Sequence, residues 1–152
     1  MAFDAFLKIE GIEGESQDKT HKGEIEIDSY SWGVEQVAVA GGGGGSGKPS
    51  AQDFHFTTPL SKASPNLMLA CATGRHFPSA TLTCRKAGGF EFLKIRMDEV
   101  LVSSYAPGGR TDESFPEESV SLAFAKMDIL YTVQRTGETV ETSFDFSRIV
   151  GA

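Results

Sequence analysis

Apolar and polar residues alternate with a period of two over most of this chain, the pattern of strands that turn one face to a core and the other outward. The alternating runs predict strands at Phe6–Ile12, Glu24–Glu35, Asp53–Thr58, Ser79–Arg85, Phe90–Ser104, Ser119–Val133 and Glu138–Ile149. In the second run Ile25 and Ile27 are odd-numbered, whereas Tyr30, Trp32 and Val34 are even-numbered. The apolar face therefore changes near Asp28 or Ser29, which implies a bulge or a strand with protein on both faces. A similar change separates Val120, Leu122 and Phe124 from Met127, Ile129, Tyr131 and Val133. Strands that exchange their buried face in this way suit a closed or strongly bent barrel.

One helix interrupts the alternation. Ser64 reads as its N-cap, Pro65 suits the first helical position, and Gly74 suits the left-handed position past its end, which gives a helix over Pro65–Thr73. Leu67 to Cys71 are apolar almost all round, so so short a helix is expected to be plugged against a sheet or a barrel end. Two stretches read as loops: Val37–Ala51, with five glycines at Gly41–Gly45, and the acidic Ala106–Glu118.

Composition narrows the class. The chain has 152 residues, 39% hydrophobic, with 14 Lys plus Arg against 21 Asp plus Glu and a formal net charge of -7. A chain of about this length buries roughly 68–70% of its unfolded surface, so one domain over 1–152 forms its core without a metal or disulfide scaffold. The acidic balance, with no basic run longer than Arg85-Lys86, disfavours nucleic acid. No apolar stretch reaches the roughly 20 residues of a membrane span, and Met1–Glu10 lacks the basic start and apolar run of an export signal. Cys71 and Cys84 lie in apolar company and read as small buried hydrophobes, not as catalytic thiols.

Candidate chemistry is thin. Gly42–Lys48 satisfies the GxxxxGK part of a phosphate-binding loop, but Pro49 replaces the magnesium-holding Ser or Thr, and a strand-like DFHFTT follows instead of a helix. Ser46 lacks the second glycine of a nucleophile elbow. His21, His55 and His76 share no metal-ligand spacing. His76 suits the carbonyl end of the helix, and His21 falls in a charged turn. Pairs such as Glu117-Glu118 and Asp98-Glu99 read as solvated carboxylates. No cofactor is implied, and an interaction role is favoured over catalysis.

The ordered blocks FLKIEGIEGES at Phe6–Ser16, His21, EIEIDSYSWG at Glu24–Gly33, KASPNLMLACATGRHFPSATLTCRKAGG at Lys62–Gly89, FLKIRMDEVLVSSY at Phe92–Tyr105 and ESVSLAFAKMDILY at Glu118–Tyr131 closely resemble the haemolysin-coregulated proteins (Hcp), tube subunits of bacterial type VI secretion systems. The resemblance runs from Phe6 to Tyr131. It implies a two-sheet β-barrel with one short helix, six copies in a ring, and rings stacked into a tube. It implies a structural protein, not an enzyme, that is assembled in the cytoplasm and secreted without a cleaved signal peptide. Its partners would be the sheath, tip and baseplate proteins of the system and small effectors held in the lumen. The turn after Gly88-Gly89 is shorter than in many members, and the segment after Val133 fits loosely. With the sequence ending at Ala152, no fused toxin domain is expected. The remaining alternatives are a monomeric β-barrel adaptor or a small β-barrel hydrolase.

With no chemistry to place, function is expected in surfaces. Tyr30 and Trp32 share one strand face and Ser29 and Ser31 the other, so the two serines are the candidates for facing the lumen and its cargo. The loop Val37–Ala51, represented by Val37, Val39, Gly43, Gly45 and Lys48, is the candidate for ring-on-ring stacking. Ordering such a loop costs about 1–2 kcal/mol per residue, so isolated rings are expected to stack weakly. The alternation does not say which strands form the ring interface.

Overall fold

The computed structural model describes residues 2–36 and 48–148. Its strands are β1 (Phe3–Ile9), β2 (Ile25–Glu26), β3 (Ser29–Gln36), β4 (Pro49–Pro59), β5 (His76–Lys86), β6 (Glu91–Gly108), β7 (Glu117–Ala123), β8 (Lys126–Thr132) and β9 (Thr139–Asp145). One helix, α1 (Ser64–Thr73), lies between β4 and β5, and a short 3-10 turn at Phe146–Arg148 follows β9.

Every strand pair is antiparallel, in the order β2-β1-β5-β6-β7-β4-β3, with β8 paired to β6 and β9 to β8. The sheet closes where the chain passes from β2 into β3. There the Ile27 amide donates to Ala5 of β1 and the next amide, Asp28, to Thr57 of β4, at 3.1 and 2.8 Å. The long β6 belongs to both halves of the barrel, pairing β8 through Leu93–Asp98 and β7 through Leu101–Gly108. Its change of partner falls at Glu99, which has a positive φ of 53°. The barrel interior is filled by Leu7, Ile9, Phe54, Phe56, Phe77, Leu82, Ile95, Met97 and Leu122, all 1% exposed or less.

Both parity changes in the sequence mark strand ends. Between Ile27 and Ser29 the chain leaves β1 and joins β4, and at Phe124-Ala125 it breaks between β7 and β8. The first strand stops at Ile9, because Gly11 turns the chain at φ 106° and brings Ile12 back to bridge Ile9. Both expected loops are shorter than their composition suggests. Pro49, Ser50 and Ala51 pair with Gln36, Glu35 and Val34, and β6 and β7 pair as far as Gly108 and Glu117.

The helix starts differently from its expected cap. Ala63, with helical angles (φ -72°, ψ -24°), precedes the first turn, and Ser64 is already inside it. The Ser64 hydroxyl accepts from the Ser61 amide at 2.9 Å and donates to Glu118 at 3.0 Å, so it is engaged elsewhere than in capping. The C-terminus is as expected: Gly74 takes the left-handed conformation and its amide bonds Ala70. Leu67 and Ala70 pack inward on the barrel, whereas Met68 and Leu69 stay exposed, so α1 is plugged on one side only.

One polar reading changes and two gain detail. Glu118 is buried, not solvated, since its strand parity matches that of Val120 and Leu122. His21 is buried between two carboxylates. His76 opens β5 with its side chain exposed. Cys84 is buried and Cys71 half-buried, and both thiols are free.

Candidate assembly surfaces

Small hydroxyls form ranks across β3, β4, β7 and β6. Directly opposite residues of an antiparallel ladder share a face. Ser31 stands opposite His55, His55 opposite Ser121, and Ser121 opposite Ser104. The neighbouring rank runs Ser29, Thr57, Ser119, Ala106. The Ser29 and Thr57 hydroxyls meet at 2.6 Å, His55 Nδ1 meets the Ser121 hydroxyl, and Ser103 donates to Asp53 at 2.6 Å. Behind this polar layer the opposite face is apolar. Tyr30 and Trp32 pack on the core, and Tyr30 stacks on Phe54 with ring centroids 5.8 Å apart.

Ser29 and Ser31 are thus exposed on the face opposite the core, the facing their alternation with Tyr30 and Trp32 predicts. The sequence alone missed their companions His55, Thr57, Ser119 and Ser121, which only strand register assigns to one surface. At one end of this face the Glu117 carboxyl is raised above its ordinary value, chiefly by its hydrogen bond with Asp28 and then by burial.

Of the stacking-loop residues, Val37, Val39, Gly43 and Gly45 lie outside the described residues. Lys48 is exposed where the chain re-enters the barrel at Pro49, and the residues after it form β4. A phosphate-binding loop needs a helix there, so that motif lacks its structural context.

A second surface lies on the β8-β9 hairpin. Leu93, Ile95 and Met97 of β6 stand opposite Tyr131, Ile129 and Met127 of β8, and Met127 and Tyr131 stand opposite Phe144 and Val140 of β9. The core-facing side of the barrel therefore continues across the hairpin. Core atoms cover Met127, but Tyr131, Val140 and Phe144 are 48%, 59% and 47% exposed. The alternation showed the apolar positions; that the described residues leave them about half exposed became visible only in three dimensions.

Residues 6–131 match the family model described as "Type VI secretion system effector, Hcp". The chain belongs to the Hcp family. Protein hcp1 of Pseudomonas aeruginosa PAO1 is 48% identical over 140 residues, covering 89% of this chain and 86% of that protein. The crystal structure of Hcp1 from Salmonella typhimurium superposes with a TM-score of 0.86 at 40% identity, covering 97% of each chain. The crystal structure of a type VI secretion system effector from Yersinia pestis gives 0.81 at 34% identity, covering 93% of this chain and 99% of that one. As an Hcp protein the chain is a subunit of the type VI secretion tube and a secreted protein. Hexameric rings are known for Hcp homologues, and the family is structural, with no catalytic role known for it. No helix among the described residues is long and apolar enough to cross a membrane.

Proposed function

We propose that this Hcp chain acts as one barrel unit over 1–152, closes with five further copies into a ring, and lines the ring channel with the hydroxyl face that carries Ser29 and Ser31. The observation that carries this reading is the polar layer on β3, β4, β7 and β6, set back to back with the core. A channel wall must be wettable, and the exposed Ser29, Ser31 and His55 with the half-buried Thr57 meet that need. The apolar side of the β8-β9 hairpin complements this reading, because a continuous apolar surface left open in one copy is satisfied by a neighbour. The role is structural and cargo-holding, without catalysis or cofactor. The cargo would be small effector proteins that travel in the lumen. Assembly in the cytoplasm would be followed by export without a cleaved signal peptide, in concert with sheath, tip and baseplate proteins. Stacking of ring on ring is assigned to the loop 37–51, with Lys48 at its base, and shortening Gly41–Gly47 should reduce tube formation while leaving rings intact.

Light scattering after size exclusion, over a range of concentrations and salt, tests the ring. A six-copy mass that survives dilution is expected, whereas a monomer of 16.3 kDa throughout would favour the adaptor or hydrolase readings. With rings intact, Ser31→Trp should reduce effector capture in a pull-down. Unchanged capture would remove Ser31 from the lumen wall.

A further inference from the structure

His21 joins parts of the chain that are 70 residues apart. It sits in the loop between β1 and β2, 7% exposed, with its ring stacked on Phe6 of β1 at a centroid distance of 4.5 Å and an interplanar angle of 10°. Each ring nitrogen meets a different carboxylate: Nδ1 lies 3.0 and 3.1 Å from the Glu24 oxygens, and Nε2 lies 2.7 Å from Glu91 at the start of β6. Only the imidazolium donates from both nitrogens; a neutral ring turns one lone pair toward a carboxylate oxygen. The Phe6 ring also carries the Arg85 guanidinium of β5, 4.8 Å from its centroid. Arg85 bonds both Asp18 oxygens, at 2.9 and 2.5 Å, and Asp4 at 3.3 Å. The charged groups around His21 are thus Glu24 from its own loop, Glu91 from β6 and, around Phe6, Arg85 with its partners Asp18 and Asp4. The loop is closed on itself by backbone bonds from Gly14 to Gly23 at 2.7 Å and from Ser16 to Glu24 at 3.0 Å.

We propose that His21 is a proton-operated clamp: charged, it pins the loop between β1 and β2 to the start of β6, and neutral, it lets that loop open and uncover Phe6. Burial pulls the imidazole pKa down, but hydrogen bonds and charge from Glu91 and Glu24 outweigh it and leave the value above the ordinary 6.5. A basic group with a raised folded-state pKa stabilises fully below its unfolded value and loses that contribution as the pH rises through the folded one. The clamp therefore weakens on the alkaline side of 6.5 and is closed in acid. Arg85 stays charged throughout this range, so the Asp18 staple does not titrate with it.

Hydrogen exchange on the full-length assembled protein, corrected for the intrinsic pH dependence of amide exchange, tests the clamp. Protection of the segment 14–24 is expected to fall about tenfold, equivalent to about 1.4 kcal/mol, as the pH rises from about 6 to about 9, while protection of β5 stays level. Glu91→Gln should move the midpoint to lower pH, and His21→Gln should abolish the pH dependence. Protection that is level across the range, or a midpoint unmoved by Glu91→Gln, would overturn the proposal. Should His21→Gln fail to fold, the Glu91→Gln midpoint decides alone.

Discussion

The Ser64 hydroxyl donates to the carboxylate of Glu118 at 3.0 Å in the protein interior, tying the first turn of α1 to β7. Glu118 is 1% exposed, so the bond gives one of its two carboxyl oxygens, Oε1, a partner where water does not reach. The same hydroxyl accepts from the Ser61 amide, so Ser64 holds both the turn before the helix and the strand beneath it.

Ser64→Ala should consequently destabilise the subunit by about 1.5–3 kcal/mol, the range for losing a hydrogen bond to a charged group. Urea unfolding measures this directly. A loss below about 0.5 kcal/mol would mean that Glu118 is satisfied without Ser64.

Tyr105 shares this neighbourhood, and its phenol is pushed up to about 12, first by burial and then by the Glu118 carboxylate. The unfolded phenol titrates near 10, so between pH 10 and about 12 the unfolded chain gives up a proton that the folded one keeps. Stability should fall over that window in the wild type. The fall should be shallower in Tyr105→Phe, as thermal midpoints in matched alkaline buffers would show.

Glu99 takes a positive φ where β6 changes partner from β8 to β7. A left-handed conformation costs a non-glycine residue roughly 1–2 kcal/mol, and a β-branched side chain more. Glu99→Gly should be neutral or stabilising by up to about 1 kcal/mol once the freer unfolded chain is counted, and Glu99→Val destabilising by about 1–3 kcal/mol. Equal unfolding midpoints for the two variants would show that the bend imposes no such demand.

Tyr131 and Val140 stand opposite each other on β8 and β9 and are half exposed in a single copy. Tyr131→Glu combined with Val140→Glu should leave the circular dichroism of the fold intact and shift the native mass from ring to monomer. A persistent ring would place the subunit contact elsewhere.

Much of the fold was legible because alternation is a direct record of facing. The parity change at Asp28 marks where the chain crosses from β1 to β4, and the one near Phe124 marks the break between β7 and β8. Ser29 and Ser31 could be assigned a facing for the same reason. Glu118 was misread because a glutamate beside Glu117 and a proline-glycine loop carries the local signature of a solvated turn. What buries it is the pairing of β7 between β4 and β6, a long-range fact. His21 was missed likewise, since its partner Glu91 is 70 residues away. The Ser64 cap failed for a related reason: its hydroxyl had a distant carboxylate to serve.

The sharing of β6 between the two halves of the barrel has a mechanical consequence. Two separate sheets could slide on each other across a greasy contact when loaded, but here a pull on the β8-β9 side reaches the β7-β4 side along a covalent backbone. A subunit built around such a continuous beam carries load from one half to the other through covalent bonds and not through side-chain contacts alone.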